Sequence, residues 1–112
     1  MKRIFKPWGY EEILEKNKFY VLKKLFMKKN HRCSLQFHKK KIETIFVVSG
    51  SLQVLYGKSK NLKNVLLKKN QMITLKPFTV HRMAAKTNCF YLEASTPQLK
   101  DVVRIQDDYK RL

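Results

Sequence analysis

The sequence has no long apolar run, and nothing in it approaches the roughly 20 apolar residues needed to span a bilayer. The basic residues at the N-terminus are not followed by an apolar stretch, so we expect no secretory signal. Cysteine is scarce, since Cys33 and Cys89 form neither a CxxC pair nor a disulfide framework. Both fit buried thiols in a reducing compartment, and we expect a cytoplasmic protein.

Acidic residues are also few, with 8 Asp and Glu against 25 Lys and Arg, which gives a formal charge of +17. Lysine supplies most of this charge and is scattered among apolar residues, as in residues 21–26. A nucleic-acid-binding protein more often clusters arginine on one face, whereas scattered lysine is typical of the solvated side of amphipathic elements. We therefore expect no nucleic-acid partner and no membrane partner, although the charge would attract anions such as sugar phosphates.

The 112 residues, of which 44% are hydrophobic, predict a single folded domain over residues 1–112. Short apolar runs alternate with turn signals at intervals typical of an antiparallel sandwich or barrel. Residues 11–15 fit either a helix or a strand, residues 57–64 read as a polar loop, and residues 101–112 predict a short helix or an ordered tail. The predicted strands cover residues 19–27, 33–38, 43–49, 51–56, 65–67, 72–75, 81–85 and 89–95.

A possible set of metal ligands begins with Gln36 and His38, which would share one face of a strand. If residues 39–42 reverse the chain, Glu43 returns toward that face, and His81 is the candidate for a fourth ligand. Such a nitrogen and oxygen set suits zinc, iron, manganese, nickel or cobalt, and the pattern does not choose among them. A single histidine is more often a surface or hydrogen-bonded residue, a description that fits His31 in its polar turn.

The spacing His38-x4-Glu43-x6-Gly50 resembles the first cupin motif, with Gln36 at the position of its first histidine. Residues 76–81, KPFTVH, resemble a degenerate second motif in which the usual glycine is replaced. Within the cupins, the chain resembles the C-terminal domain of bifunctional phosphomannose isomerases. The resemblance extends over nearly the whole chain and includes KPWGYE at residues 6–11, SLQFH at 34–38, VVSG at 47–50 and DVVRIQDDYKR at 101–111.

This resemblance implies a cupin-type double-stranded β-helix, a jelly-roll barrel with short terminal extensions. It also implies a divalent metal ion and a phosphosugar substrate, with interconversion of mannose 6-phosphate and fructose 6-phosphate through an enediolate. The implied metal ligands are Gln36, His38, Glu43 and His81. The candidate catalytic residues are Glu93, Lys41 and Arg104, and the candidate substrate-binding residues are Arg32, Arg104 and Arg111.

The chain departs from the family pattern beside the ligand histidine, where His-His-Arg is replaced by Lys39-Lys40-Lys41. Lysine keeps the charge of arginine but loses its bidentate fork. Thr44-Ile45 replaces His-Trp, and the nucleotidyltransferase domain that usually precedes this one is not among these residues, so we expect no guanylyltransferase activity. The alternative function is a non-catalytic metal cupin that binds a sugar or nucleotide-sugar in polysaccharide synthesis. A homodimer is also an open prediction, because dimerisation often covers exposed strand edges.

Overall fold

The computed structural model describes residues 2–58 and 60–112, and these residues form eleven β-strands. Within these two segments no helix is long and apolar enough to cross a membrane. The strands are β1 (Arg3–Lys6), β2 (Gly9–Lys16), β3 (Val21–Met27), β4 (Leu35–His38), β5 (Glu43–Ser49), β6 (Leu52–Lys58), β7 (Asn61–Leu67), β8 (Met72–Leu75), β9 (Val80–Ala85), β10 (Cys89–Ser95) and β11 (Val102–Gln106).

Two antiparallel sheets make up the fold, which confirms the predicted all-β class. One sheet has six strands in the order β1-β2-β3-β10-β5-β8, and the other has five in the order β11-β4-β9-β6-β7. In the first sheet β10 lies between β3 and β5, and in the second β9 lies between β4 and β6. Side chains from strands distant in the sequence therefore become direct neighbours.

The core lies between the inner faces of the two sheets, where alternate residues of each strand are buried. In β5, for example, Ile45 and Val47 are fully buried, while Val48 is exposed. Burial of each aliphatic side chain of this kind contributes roughly 1.5–3 kcal/mol relative to exposure. The buried apolar residues of this cluster include Trp8, Leu25, Met27, Ile45, Val47, Leu52, Val54, Leu75, Met83 and Tyr91.

Most strand predictions are confirmed. Strands β5, β8 and β10 begin and end at the predicted residues, and residues 11–15 prove to belong to strand β2. The polar loop predicted for residues 57–64 is wrong, because β6 and β7 continue into it and Gly57 pairs with Leu62. Among the described strands β7 pairs only with β6, at the edge of its sheet, and its first four residues are half-buried or exposed. The alternation of apolar and polar residues that normally indicates a strand is therefore weak in these residues.

The C-terminal residues also differ from the prediction of a helix or ordered tail. Val102–Gln106 form strand β11, which pairs with β4 and places Arg104 opposite Gln36. After β11 the chain turns, with the Lys110 N–H donating a hydrogen bond to the Asp107 carbonyl. The β-branched residues of β11 favour a strand, but the partner strand β4 is distant in sequence. This pairing brings the C-terminal segment beside the predicted metal ligands.

Candidate metal centre and its cavity

Three of the predicted metal ligands meet in the interior, from both sheets. His38 ends β4 and His81 lies in β9 of the five-stranded sheet, whereas Glu43 begins β5 of the six-stranded sheet. Nε2 of His81 lies 3.0 Å from Oε1 of Glu43, and Nε2 of His38 lies 3.4 Å from the same oxygen. The three potential ligand atoms all lie within 4.8 Å of one another.

The turn before β9 positions His81. Its residue Phe78 adopts a φ of 62°, the left-handed region that most side chains avoid, and its ring stacks on Phe37 with centroids 5.9 Å apart. The Phe78 N–H donates a 2.7 Å hydrogen bond to the His38 carbonyl, so the turn is tied directly to the first ligand strand. The Nδ1–H of His81 donates a 2.9 Å hydrogen bond to the Thr79 carbonyl, which leaves Nε2 facing the cluster.

The chemistry of these atoms fits a divalent metal ion. His38, Glu43 and His81 are only 6%, 2% and 1% exposed, respectively. Among the described residues, Nε2 of both histidines and Oε1 of Glu43 are buried without a hydrogen-bond partner. With Nδ1 of His81 protonated, its Nε2 is a lone-pair acceptor facing a carboxylate oxygen unless the ring gains a second proton. Unpaired buried polar atoms are costly, and a cation bound between them would satisfy all three.

Gln36, the fourth predicted ligand, lies beside this cluster. It is directly opposite His81 on the neighbouring strand, and its side chain lines the same cavity. Its Oε1 accepts a 2.5 Å hydrogen bond from the Ser34 hydroxyl. A carbonyl oxygen has two lone pairs, so this bond orients the amide and leaves one lone pair for a metal.

Lys41 and Glu93 form a buried charged pair next to the cluster. Nζ of Lys41 lies 3.2 Å from Oε1 of Glu93 and 3.5 Å from Oε2 of Glu43. The Asp101 carboxylate holds the turn before β5, because it accepts hydrogen bonds from the backbone N–H groups of Lys40 and Lys41. Lys41 is thereby held over two carboxylates inside the barrel.

The electrostatics of this group follow from burial and close charges. Burial, reinforced by the negative charge of Glu43, raises the pKa of Glu93 to about 7 despite the opposing charge of Lys41. Burial alone would raise the pKa of Glu43, but the close approach of His38 and His81 and the charge of Lys41 hold it well below the ordinary value. Burial alone would lower the pKa of Lys41, but the two carboxylates outweigh it and the pKa is raised. Lys41 and Glu43 therefore remain charged at neutral pH.

A cavity of about 160 Å³ opens onto the cluster and is lined by basic and acidic side chains from both sheets. Arg104 and Arg111, two predicted substrate-binding residues, both line it. The Arg111 guanidinium is held by Asp107, with Nε 2.7 Å from Oδ2 and a second hydrogen bond to Oδ1. Nε of Arg104 is buried and has no hydrogen-bond partner among the described residues.

The structure does not bring Arg32 into this cavity. Its guanidinium forms two hydrogen bonds of 2.6 and 2.8 Å with Asp108, and it does not line the cavity at the cluster. His31 also lies outside the cluster, with Nδ1 3.1 Å from the Lys29 carbonyl. Both cysteines are buried and free, as predicted.

Sequence reasoning did not identify two further cavity residues, Glu11 and Lys23. Oε1 of Glu11 lies 3.3 Å from Nζ of Lys23, and both side chains line the cavity. A signal was present in strand β3, where Lys23 occupies the same face as the buried Val21 and Leu25. A lysine in an apolar, inward-facing row indicates a polar interior at that position.

Comparisons with known proteins identify the family of this chain and agree with its fold. Residues 1–107 match the family described as mannose-6-phosphate isomerase, C-terminal. The chain is 29% identical over 113 residues to the alginate biosynthesis protein AlgA of Pseudomonas aeruginosa, covering 96% of this chain and 23% of that protein. It is 26% identical over 115 residues to the xanthan biosynthesis protein XanB of Xanthomonas campestris pv. campestris, covering 98% of this chain and 24% of that protein. The chain thus spans about a quarter of the length of the curated relatives it matches.

Solved structures confirm the cupin-type double-stranded β-helix. The capsular polysaccharide assembling protein CapF from Staphylococcus aureus superposes with a TM-score of 0.83 at 13% identity, over 94% of this chain and 31% of that one. A Klebsiella pneumoniae protein with a double-stranded β-helix domain gives a TM-score of 0.75 at 14% identity, over 94% and 90% of the two chains. Oxalate decarboxylase from Bacillus subtilis superposes with a TM-score of 0.80 at 13% identity, over 93% of this chain and 30% of that one. At these identities the likeness concerns the fold alone, whereas the match over residues 1–107 places the chain in the family of mannose-6-phosphate isomerase C-terminal domains.

Proposed function

We propose that this protein is a metal-dependent phosphosugar isomerase that interconverts mannose 6-phosphate and fructose 6-phosphate. The observation that carries the proposal is the convergence of His38, Glu43 and His81, whose buried donor atoms lack other partners, at a cavity lined by cationic side chains. Membership of the mannose-6-phosphate isomerase C-terminal family supports the choice of reaction. Because the chain spans only part of its curated relatives, their activities are proposed for it rather than assigned.

The ligands of the metal would be His38, Glu43 and His81, with Gln36 as the fourth. A bound divalent ion supplies Lewis-acid polarisation of substrate oxygens in this kind of reaction. The hydrogen bonds from Ser34 to Gln36 and from His81 to the Thr79 carbonyl orient two of the donors before any metal arrives.

The reaction moves one proton between the two carbons at the reacting end of an open-chain sugar. In the aldose-to-ketose direction, a base removes the proton from C2 and the C1 carbonyl oxygen becomes an enediolate oxygen. C1 then receives a proton from that base, and the hydroxyl proton on O2 passes to O1 as the C2 carbonyl forms. Glu93 is the candidate for this transfer because its carboxyl group lines the cavity beside the cluster. Lys41 holds that carboxyl at 3.2 Å and so restricts its position.

Arg104 is the candidate for stabilising the anion that develops at the reacting end. Its strand position is directly opposite Gln36, which in turn is opposite His81, and this pairing supports a role beside the candidate ligands. Arg104 lines the cavity, and its buried Nε has no partner among the described residues. A fixed cation that faces developing charge in a site shielded from water lowers the barrier more than one in bulk solvent.

The alternative is a metal cupin that binds a sugar or nucleotide-sugar for polysaccharide synthesis without turning it over. One observation favours it, namely that Lys41 stands where the family has arginine and is engaged with Glu43 and Glu93. The side chain at that position is therefore already committed to two carboxylates and is not free for a bidentate substrate contact. The relatives named for alginate and xanthan biosynthesis are compatible with either role.

A coupled assay that follows fructose 6-phosphate formation from mannose 6-phosphate tests the proposal. The purified chain is assayed with zinc, manganese, iron, nickel and cobalt in turn, and again after chelation. We expect metal-dependent turnover that His38→Ala abolishes, Gln36→Ala reduces and the control His31→Ala leaves unchanged. If the protein binds metal and phosphosugar but gives no turnover with any of these ions, the non-catalytic alternative replaces the isomerase.

A further inference from the structure

The cavity has a second polar wall, formed by Lys23 and Glu11, on the six-stranded sheet. Lys23 interrupts the inward-facing row of β3, in which Val21, Leu25 and Met27 are almost completely buried. Its side chain is 11% exposed and that of Glu11 is 12% exposed, and both line the cavity that contains the cluster. This wall is separate from the arginines, which are contributed by β11 and the residues that follow it.

The contacts of Lys23 leave most of its binding capacity unused. An ammonium group has three N–H donors, and among the described residues the only hydrogen bond of this side chain is the 3.3 Å contact with Oε1 of Glu11. A buried ion pair on an apolar wall contributes little to stability, because desolvation offsets the attraction. Packing alone would therefore favour an apolar residue at this position, and the remaining donors are suited to an anionic ligand in the cavity.

The separation between the strands that carry Lys23 and Glu43 is compatible with the length of a phosphosugar. Lys23 is opposite Glu93 on β10, and Glu93 is opposite Ile45 on β5, the strand that also carries Glu43. Lys23 is thus two strand spacings from β5, about 10 Å across the sheet. In an extended six-carbon sugar 6-phosphate, C2 and the phosphorus are separated by six bonds, about 7 Å at about 1.2 Å per bond.

We propose that Lys23, held in place by Glu11, binds the phosphate group of the substrate, while the reacting carbons lie at the cluster beside Arg104. The identity of the ligand rests on the proposed function, whereas the anion site itself rests on the placement of Lys23. Glu11 is a positioning residue in this arrangement, because its carboxylate fixes the ammonium group without contacting the ligand.

Neighbouring lysines in β3 provide a matched control. Lys24 points to the outer face of the sheet, with its Nζ 5.4 Å from the centroid of the Phe90 ring. The variants Lys23→Gln and Lys24→Gln therefore remove the same charge from adjacent positions of one strand, and only the first alters the cavity. The single tryptophan, Trp8, lines the cavity and reports occupancy by its fluorescence, independently of turnover.

The experiment measures mannose 6-phosphate binding by calorimetry and Trp8 fluorescence, with melting temperatures recorded for every variant. We expect Lys23→Gln to weaken binding at least tenfold, Lys23→Arg to stay within about threefold of wild type and Lys24→Gln within about twofold. If Lys23→Gln has a clearly lower melting temperature than wild type, binding is measured with Lys23→Met instead, because methionine retains the apolar stem.

Unchanged affinity in Lys23→Gln, an equal loss in Lys24→Gln, or no binding by the wild-type protein would each overturn the inference. Turnover is measured separately, so the two proposals fail independently. Lys23-dependent binding without turnover refutes only the isomerase, whereas turnover with full affinity in Lys23→Gln refutes only the phosphate site.

Discussion

Glu43 and His81 belong to different sheets, and yet Oε1 of the first lies 3.0 Å from Nε2 of the second. His38 approaches the same oxygen at 3.4 Å, so the cluster joins the two layers of the barrel at one point. Strong interactions at this point therefore influence both the chemistry of the cavity and the stability of the fold.

Added metal should stabilise the protein. A divalent ion at a free concentration of 100 times its Kd would contribute about 2.7 kcal/mol if it binds only the folded state. We expect a rise of several degrees in the melting temperature, measured by differential scanning calorimetry. His81→Ala should abolish the rise, whereas His31→Ala, outside the cluster, should retain it. A rise of equal size in His81→Ala would contradict the proposed centre.

Removal of the Lys41 charge should destabilise the fold strongly. Lys41→Met would leave the Glu43 carboxylate buried without the charge of Lys41, and breaking a buried pair in this way costs about 3–5 kcal/mol. The matched control is Lys40→Met, which alters an exposed neighbour and should change stability by less than about 0.5 kcal/mol. Urea unfolding measures the free energy of unfolding of both variants. An equal loss of unfolding free energy in Lys41→Met and Lys40→Met would contradict a stabilising role for the buried Lys41 charge.

The Asp107–Arg111 pair should make stability depend on acid pH. Hydrogen bonds from Arg111 hold the pKa of Asp107 well below its ordinary value. A carboxyl group whose pKa is lowered by folding contributes its full stabilisation above the unfolded pKa of about 4, and this contribution is lost as the pH falls through the lowered folded pKa. Asp107→Asn should therefore be less stable than wild type at pH 7. The difference in unfolding free energy between the two proteins should narrow below about pH 4. A difference that stays constant in urea unfolding from pH 7 to pH 3 would contradict this role.

The two cysteines should react slowly in the native protein. Burial raises the pKa of Cys33 and of Cys89 to about 11, so very little thiolate is present at pH 8. We expect a thiol reagent such as dithionitrobenzoate to label neither residue appreciably in the folded state and both within minutes in urea. Rapid labelling of the native protein at pH 8 would mean that one of these thiols is accessible.

The cupin motif allowed part of the site to be predicted from sequence. His38 and Glu43 are close in the chain, and the pattern around them predicts a shared face on neighbouring strands. His81 was the candidate for the fourth ligand from its position at the start of a predicted strand. Strand β9 is far along the chain, however, and no local pattern shows that it reaches the same face. The contact of Lys41 with Glu93 could not be predicted, because it depends on the non-sequential pairing of β10 with β5, which no local pattern encodes. The contact of Lys23 with Glu11 joins the consecutive strands β2 and β3, and it was missed because residues 11–15 fit a helix as well as a strand.

The strands, like the site residues, include some that the sequence predicts and some that it does not. Strands with a clear buried face, such as β5 and β10, were predicted to the residue, because their alternation reflects the core directly. The start of β7 and the whole of β11 were not, because none of these residues is fully buried and they show no clear inward-facing row. Such strands are specified by backbone pairing rather than by side-chain burial, and the local sequence does not indicate which strand will be the partner.

The central position of β10 in the six-stranded sheet also has a consequence for biosynthesis. Cys89–Ser95 must enter between β3 and β5, so this sheet cannot form completely until residues 89–95 have left the ribosome. Contacts between such remote segments make folding slow, on the order of milliseconds to seconds for all-β domains. Nascent chains that stop before β10 would leave the edges of β3 and β5 unpaired, and we expect them to depend on chaperones.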